Sequence, residues 1–344
     1  MRPPPTVFSL RAILTLAVAS LSADAQIYIN YGNGIGEFSA YGVPINTGLI
    51  TSLNQPQGLA ISGSDLFVVS YGSSRIGKYS LAGTVENAAL VTGLDGPEGV
   101  AVSGTNLFVA NYANGQIGAF STSGAIVNRS LCTLSFGVDG IAVSGTNLFV
   151  TDTSHNRIGE YATSGATVNA SLVSGLAGLG GLAVSGTNIF VAVLSAGTVN
   201  QYTTSGAIVK APLISGLNQP NGIAVSGNLL YVFDFQGHLG LYTTGGVRVN
   251  TNLIAAPAAD YGCFGIAIQG PTNSPPGLGA AASQTNIVIS WPTNAPAYML
   301  QAASDLPASS WSYVTNTPVV SNASYNISLP PGRSAQFFRL RSIN

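Results

Sequence analysis

Gly140-Ile141-Ala142-Val143-Ser144-Gly145-Thr146-Asn147-Leu148-Phe149-Val150-Thr151-Asp152 decides the fold, because its parts return along the chain at a fixed interval. The phrase Gly-(Ile/Leu/Val)-Ala-(Val/Ile) stands at Gly58, Gly99, Gly140, Gly181, Gly222 and Gly265, with four steps of 41 residues and a last one of 43. An apolar triplet follows the first five: Leu66-Phe67-Val68, Leu107-Phe108-Val109, Leu148-Phe149-Val150, Ile189-Phe190-Val191 and Leu230-Tyr231-Val232. Next comes Ile-Gly-x-Tyr/Phe, clearest at Ile76–Tyr79, Ile117–Phe120 and Ile158–Tyr161, and then a short apolar run such as Leu90-Val91 or Leu213-Ile214. Each unit therefore reads as four short strands, A to D, rich in β-branched and aromatic residues. Turn chemistry separates them, as in Ser103-Gly104-Thr105-Asn106 and Ser121-Thr122-Ser123-Gly124. Four strands in some 41 residues is the period of a propeller blade. A helical solenoid of that period would show apolar spacing of about 3.6 residues, and none is present.

The flanks of the repeat array extend the reading. Ile27-Tyr28-Ile29-Asn30-Tyr31 and Ile35-Gly36-Glu37-Phe38 match strands B and C with no A before them, and Gly265–Ile268 is an A with no B after it. Joined, they complete a blade and leave no open sheet edge in the ring. The expectation is an all-β chain: a six-bladed β-propeller over 26–270, closed by N- and C-terminal strands of one composite blade, plus a small C-terminal β-sandwich.

Upstream, Arg2 and Arg11 bracket a basic region, Ala12–Leu21 is apolar, and Ala23-Asp24-Ala25 has the small residues of a signal-peptidase site. Residues 1–25 read as a cleaved signal peptide, which predicts a secreted, periplasmic or cell-surface protein. No later apolar run is long enough to span a membrane. Charged residues make up 7% of the chain and the net charge is −1; without residues 1–25 the balance is 9 basic to 11 acidic groups. With no basic patch to neutralise phosphates, nucleic acid is excluded as a partner class. Cys132 and Cys263 fall in different blades and are expected to be unpaired, largely buried thiols.

Residues 271–284, centred on Pro275-Pro276-Gly277, have the composition of a linker. Five strand-like runs follow within 285–344, carrying Trp291 and Trp311 as core candidates of the β-sandwich. That pattern resembles small modules that follow the ectodomains of secreted bacterial proteins, which implies attachment, sorting or spacing.

Extended through Thr153-Ser154-His155-Asn156-Arg157-Ile158, the opening stretch resembles the NHL repeat, and the blades are also similar to streptogramin-lyase and gluconolactonase-type propellers. Arg75 and Arg157 look like the structural arginines of that repeat. In gluconolactonase-type propellers, metal-binding residues sit in Pro-Asn-Gly and Asp-Gly contexts before strand A, which Pro220-Asn221-Gly222 and Asp139-Gly140 match. The family's pair lies in consecutive blades, whereas here Gly180 intervenes.

Two rings of positions are expected at one channel mouth. Before the strand-A glycine stand Gln57, Glu98, Asp139, Gly180, Asn221 and Phe264; at the end of strand B stand Asn30, Ser70, Asn111, Asp152, Val193 and Asp234. Acidic residues are scarce, yet four of them occupy these positions. Glu98, Asp139 and Asn221 are the candidate metal ligands, their oxygens suited to a hard cation such as Ca²⁺ or Mg²⁺. Gln57, Asn111, Asp152 and Asp234 are the candidate ligand-binding residues. Short polar side chains at strand ends also bond turn backbone with no ligand at all. His155 and His238 sit in equivalent B–C turns, and no nucleophile elbow, zinc-protease or phosphate-loop motif occurs. The leading expectation is a non-enzymatic binding or scaffold propeller for a protein, glycan or small polar ligand. The alternative is a divergent metal-dependent hydrolase or lyase, and a third reading is a purely structural envelope or matrix component.

Overall fold

The structure, a computed structural model, describes residues 25–40, 42–256 and 265–270, and 279–282, 286–292, 298–303, 312–321, 324–329 and 337–342. The signal-peptide reading therefore falls, Ala25 apart, outside the described residues, as do Cys263, Phe264 and Trp311. The chain divides into Gln26–Gln269 and a second unit that holds Gly270–Asn344.

Six four-stranded antiparallel sheets make up the 26–269 unit, with a single 3-10 turn at Tyr71–Ser73 among the described residues. Strands A are Pro56–Ser62, Pro97–Ser103, Val138–Ser144, Leu179–Ser185, Pro220–Ser226 and Ile266–Gln269. Five sheets take their strands in chain order A-B-C-D. The sixth sets Ile266–Gln269 against Gln26–Asn30, with Tyr28 opposite Ala267. Each strand A touches the next, in the order 56–62, 97–103, 138–144, 179–185, 220–226, 266–269 and back to 56–62. This is the arrangement of a β-propeller.

Strand B shows why the repeat folds this way. Its apolar run is continuous because both faces are buried. In Leu66-Phe67-Val68-Val69, Leu66 and Val68 pack with Tyr28 and Ile35 of the preceding sheet. Phe67 and Val69 pack with Val100, Leu107 and Val109 of the following one. The same division recurs at Leu148 and Val150 against Phe149. Each inter-sheet layer is thus filled by alternate residues of two neighbouring strands.

The two repeated glycines have separate steric causes. In Ile-Gly-x-Tyr, the aromatic ring folds back over the glycine: a Cβ on Gly77 would lie 2.6 Å from the Tyr79 ring, and one on Gly159 2.7 Å from Tyr161. Where Asn200 replaces that glycine, its amide donates to the Tyr202 hydroxyl instead (3.4 Å). The strand-A glycine admits the neighbouring inner strand. A Cβ on Gly58 would lie 2.5 Å from the Glu98 carbonyl, and one on Gly99 2.4 Å from that of Asp139.

In the C-terminal unit, Gly279–Ala282, Ile287–Pro292, Ser324–Leu329 and Val319–Ser321 form one four-stranded sheet. Ser312–Tyr313, Tyr298–Ala303 and Phe337–Ser342 form a three-stranded one. Strand 279–282 lies inside the stretch whose composition reads as a linker, and it pairs with 287–292. Small alanines suffice there, because pairing asks only for extended backbone. Ile289, Leu300 and Ile327 are buried. Among the described residues, no helix is long and apolar enough to cross a membrane.

Candidate functional site

The inner strands surround a cavity of about 740 Å³ at the channel. A β-bulge in strand A shapes its wall. Val138 pairs with Asp152 and Ile141 with Val150, so Asp139 and Gly140 together oppose a single residue. The same irregularity falls at Gln57-Gly58, Glu98-Gly99 and Gly180-Gly181, and a one-residue form at Asn221. Bulges re-aim side chains, and Gln57, Glu98, Asp139 and Asn221 all line the cavity. Four of the six positions read before the strand-A glycine are therefore brought to one chamber; Gly180 is not in its lining and Phe264 lies outside the described residues.

Glu98 and Asp139 meet there and hydrogen-bond each other. Both are half-buried and border the channel. Burial, then the negative charge of Asp139, drives the Glu98 carboxyl far above the ordinary glutamate range. Burial also raises Asp139, opposed by its hydrogen bond with Glu98. Two like charges this close cannot both ionise readily, so the pair retains a proton. Tyr112 lies beside them, and its phenol is raised by burial and by both carboxyls.

Asn221 shares the chamber but not that pair. Its Oδ1 accepts the Gly181 amide (3.1 Å), and a Cβ on Gly180 would lie 2.5 Å from the same oxygen. Gly180 thus makes room for Asn221 by having no side chain. Among the described residues no three His, Cys, Asp or Glu side chains gather as a cation site. Glu98, Asp139 and Asn221 line the same chamber, where the Asn221 oxygen already accepts the Gly181 amide.

Asn30, Asn111, Asp152 and Asp234, at the strand-B ends, are not among the residues that line the chamber, and each bonds nearby protein groups. Asn30 Nδ2 donates to the carbonyls of Pro56 and Gln57 in the next sheet (2.8 and 2.9 Å). Asn111 Oδ1 accepts the Asp95 amide (3.1 Å) and Nδ2 donates to the Gln116 carbonyl (3.1 Å). Asp152 is fully buried; it accepts Arg157 Nε (2.9 Å) and the His155 amide (3.1 Å), with His155 Nδ1 at 2.9 Å. Asp234 Oδ1 caps its turn by accepting the amides of Gln236 and His238 (3.0 and 2.9 Å). Of the four candidate ligand-binding residues, only Gln57 lines the cavity.

The residue one step further is the one that reaches the chamber. Tyr112, Thr153, Leu194 and Phe235 line it, with Leu179 and Leu182 from strand A. Strand alternation explains this, because consecutive residues point to opposite sides. The signal was present in the sequence: the position after strand B holds Tyr31, Tyr71, Tyr112, Thr153, Leu194 and Phe235, four aromatics in six. The chamber is thus polar around Gln57, Glu98, Asp139, Tyr112 and Thr153 and apolar around Leu179, Leu182, Leu194 and Phe235.

No family model matches the chain. No curated protein matches it either. Solved structures do resemble it. A chain of the nidogen/laminin complex superposes with a TM-score of 0.62 at 16% identity, covering 71% of this chain and 98% of that one. A gluconolactonase from Xanthomonas campestris gives 0.55 at 14% identity, covering 77% and 91%. A catalytically inactive virginiamycin B lyase from Staphylococcus aureus, solved with quinupristin, gives 0.50 at 21%, covering 62% and 74%. Binding and enzymatic proteins both stand among these, so the likeness establishes the fold and leaves the chemistry to the site. The chain is an all-β protein with a β-propeller as its larger unit.

Proposed function

We propose that this protein is an exported, closed six-bladed propeller of the NHL-like type that binds a small ligand, or the polar tip of a glycan or protein partner, at its channel mouth without transforming it. The pairing of 266–269 with 26–30 supports closure, and the module beyond Gly270, read as a small β-sandwich, serves attachment or spacing. One observation carries the binding reading: a chamber of about 740 Å³ whose lining mixes convergent polar groups with apolar ones. That mixture is the usual character of a small-ligand site. Neither His155 nor His238 lines that chamber; both sit in turns beside Asp152 and Asp234. Saturation-transfer NMR of the full chain against mixed sugars, amino acids and amines tests it. At least one binder should be lost on Asp139→Asn with Phe235→Ala; binders that all persist would place the site elsewhere.

A hydrolase or lyase is the second reading, favoured by the raised proton affinity of Glu98 and Asp139 in one cavity. Turnover of lactone or ester substrates by the purified protein, with and without added Ca²⁺ or Mg²⁺, is its assay. Activity abolished by Asp139→Asn would establish it; no turnover under any of these conditions would remove it.

A further inference from the structure

The composition of the chamber, taken with the binding reading above on which this step rests, narrows the ligand class. Among the described residues the lining carries two carboxyls and no Lys, Arg or His. From every strand packed against Glu98, the facing titratable groups are Asp139, Tyr112 and, beyond it, Tyr71, while Gln57 on the other side is neutral. Negative charge at a half-buried site without a counter-charge is costly. A ligand bearing one positive charge removes that cost, whereas a neutral sugar leaves it in place.

The apolar part of the lining separates an organic cation from an inorganic one. Leu179, Leu182, Leu194 and Phe235 offer nothing to a hydrated metal ion, and the Asn221 oxygen is engaged by the Gly181 amide. Phe235 keeps 44% of its surface exposed although it borders the chamber, and Tyr112 stands beside the carboxyls. Aromatic rings next to carboxylates attract ammonium groups, and the leucines suit an apolar body.

We infer that the channel mouth takes an organic ammonium ion with an apolar body, its nitrogen at Glu98 and Asp139 and its body against Leu194 and Phe235. Calorimetric titration of the full chain at neutral pH with benzylamine, benzyl alcohol, glucose and CaCl₂ decides the matter. Benzylamine is expected to bind at least about tenfold more tightly than benzyl alcohol, a gap of about 1.4 kcal/mol. Asp139→Asn should close that gap, and Phe235→Ala should weaken both aromatic probes alike while circular dichroism stays unchanged. Equal affinity for amine and alcohol overturns the inference. So does an amine preference that survives in both Asp139→Asn and Glu98→Gln. Binding of glucose or Ca²⁺ in place of the amine, lost in Asp139→Asn, overturns the ammonium assignment but leaves the channel as the site. No heat with any probe and no effect of the variants overturns both readings.

Discussion

Asp152 and Asp139 look alike in the sequence, each an acid at the edge of a repeated strand, and the fold gives them opposite work. Asp152 is sealed against Arg157 and His155, holding the B–C turn. Removing one partner of a buried ion pair costs about 3–5 kcal/mol, and somewhat less where the remaining partner reaches water, as Arg157 does. Asp152→Ala is therefore expected to lose about 2–4 kcal/mol in urea denaturation and to leave ligand binding at the channel intact. Asp139 and Glu98 behave the other way, because their charge opposes folding. Glu98 is pushed up from 4.5 to about 9, so the folded state holds its proton more tightly than the unfolded one. Its contribution to stability is full below pH 4.5 and is lost as pH rises toward about 9. Glu98→Gln should match the native melting temperature in acid and exceed it progressively across that window. The gain is about 2–4 °C for each kcal/mol recovered in a domain of this size. A native-to-variant difference that does not change with pH would refute the shared-proton description. Polarity at a strand end could be read from the sequence; the side to which each residue turns could not.

At the scale of the strand, the glycines divide by what surrounds them. Gly104, in the A–B turn, has φ +56 and open space where a Cβ would go. Gly99, in strand A, would put a Cβ 2.4 Å from the Asp139 carbonyl of the next sheet. Asn tolerates the left-handed region, so Gly104→Asn should stay within about 0.5 kcal/mol of the native protein. Gly99→Ala meets backbone that cannot swing aside and should cost about 1–3 kcal/mol. Chemical denaturation of the two variants separates these expectations. Both glycines were legible as motif positions, since they recur. Which one is a turn and which a contact between sheets depends on neighbours some 40 residues away in the chain. The bulge that aims Glu98 and Asp139 into the channel was likewise invisible as such. It is a mismatch of register between two strands, and neither strand shows it alone.

For the whole molecule, the telling contact joins the two ends of the propeller unit. Gln26–Asn30 pairs with Ile266–Gln269, and Gly42 lies against Leu253 of the sheet that ends the unit. Ending the chain at residue 262 removes that inner strand and leaves Gln26–Asn30 with an open edge. Hydrogen exchange should then find the sheet over 26–50 opening first, at lower denaturant than in the full chain, with the 97–174 sheets least affected. Uniform exchange across all sheets would show that the ring does not depend on this pairing. By itself the sequence determined the four strands of each repeat, the blade period and the composite sheet. Those follow from local apolar alternation and turn chemistry, and each repeat states them again. Only the tertiary structure decided that Glu98 and Asp139 share one chamber with Leu194 and Phe235, while Asp152 and Asp234 are absorbed by their own turns. Repetition encodes the blade; convergence at the axis depends on bulges and on side chains from strands far apart in the chain.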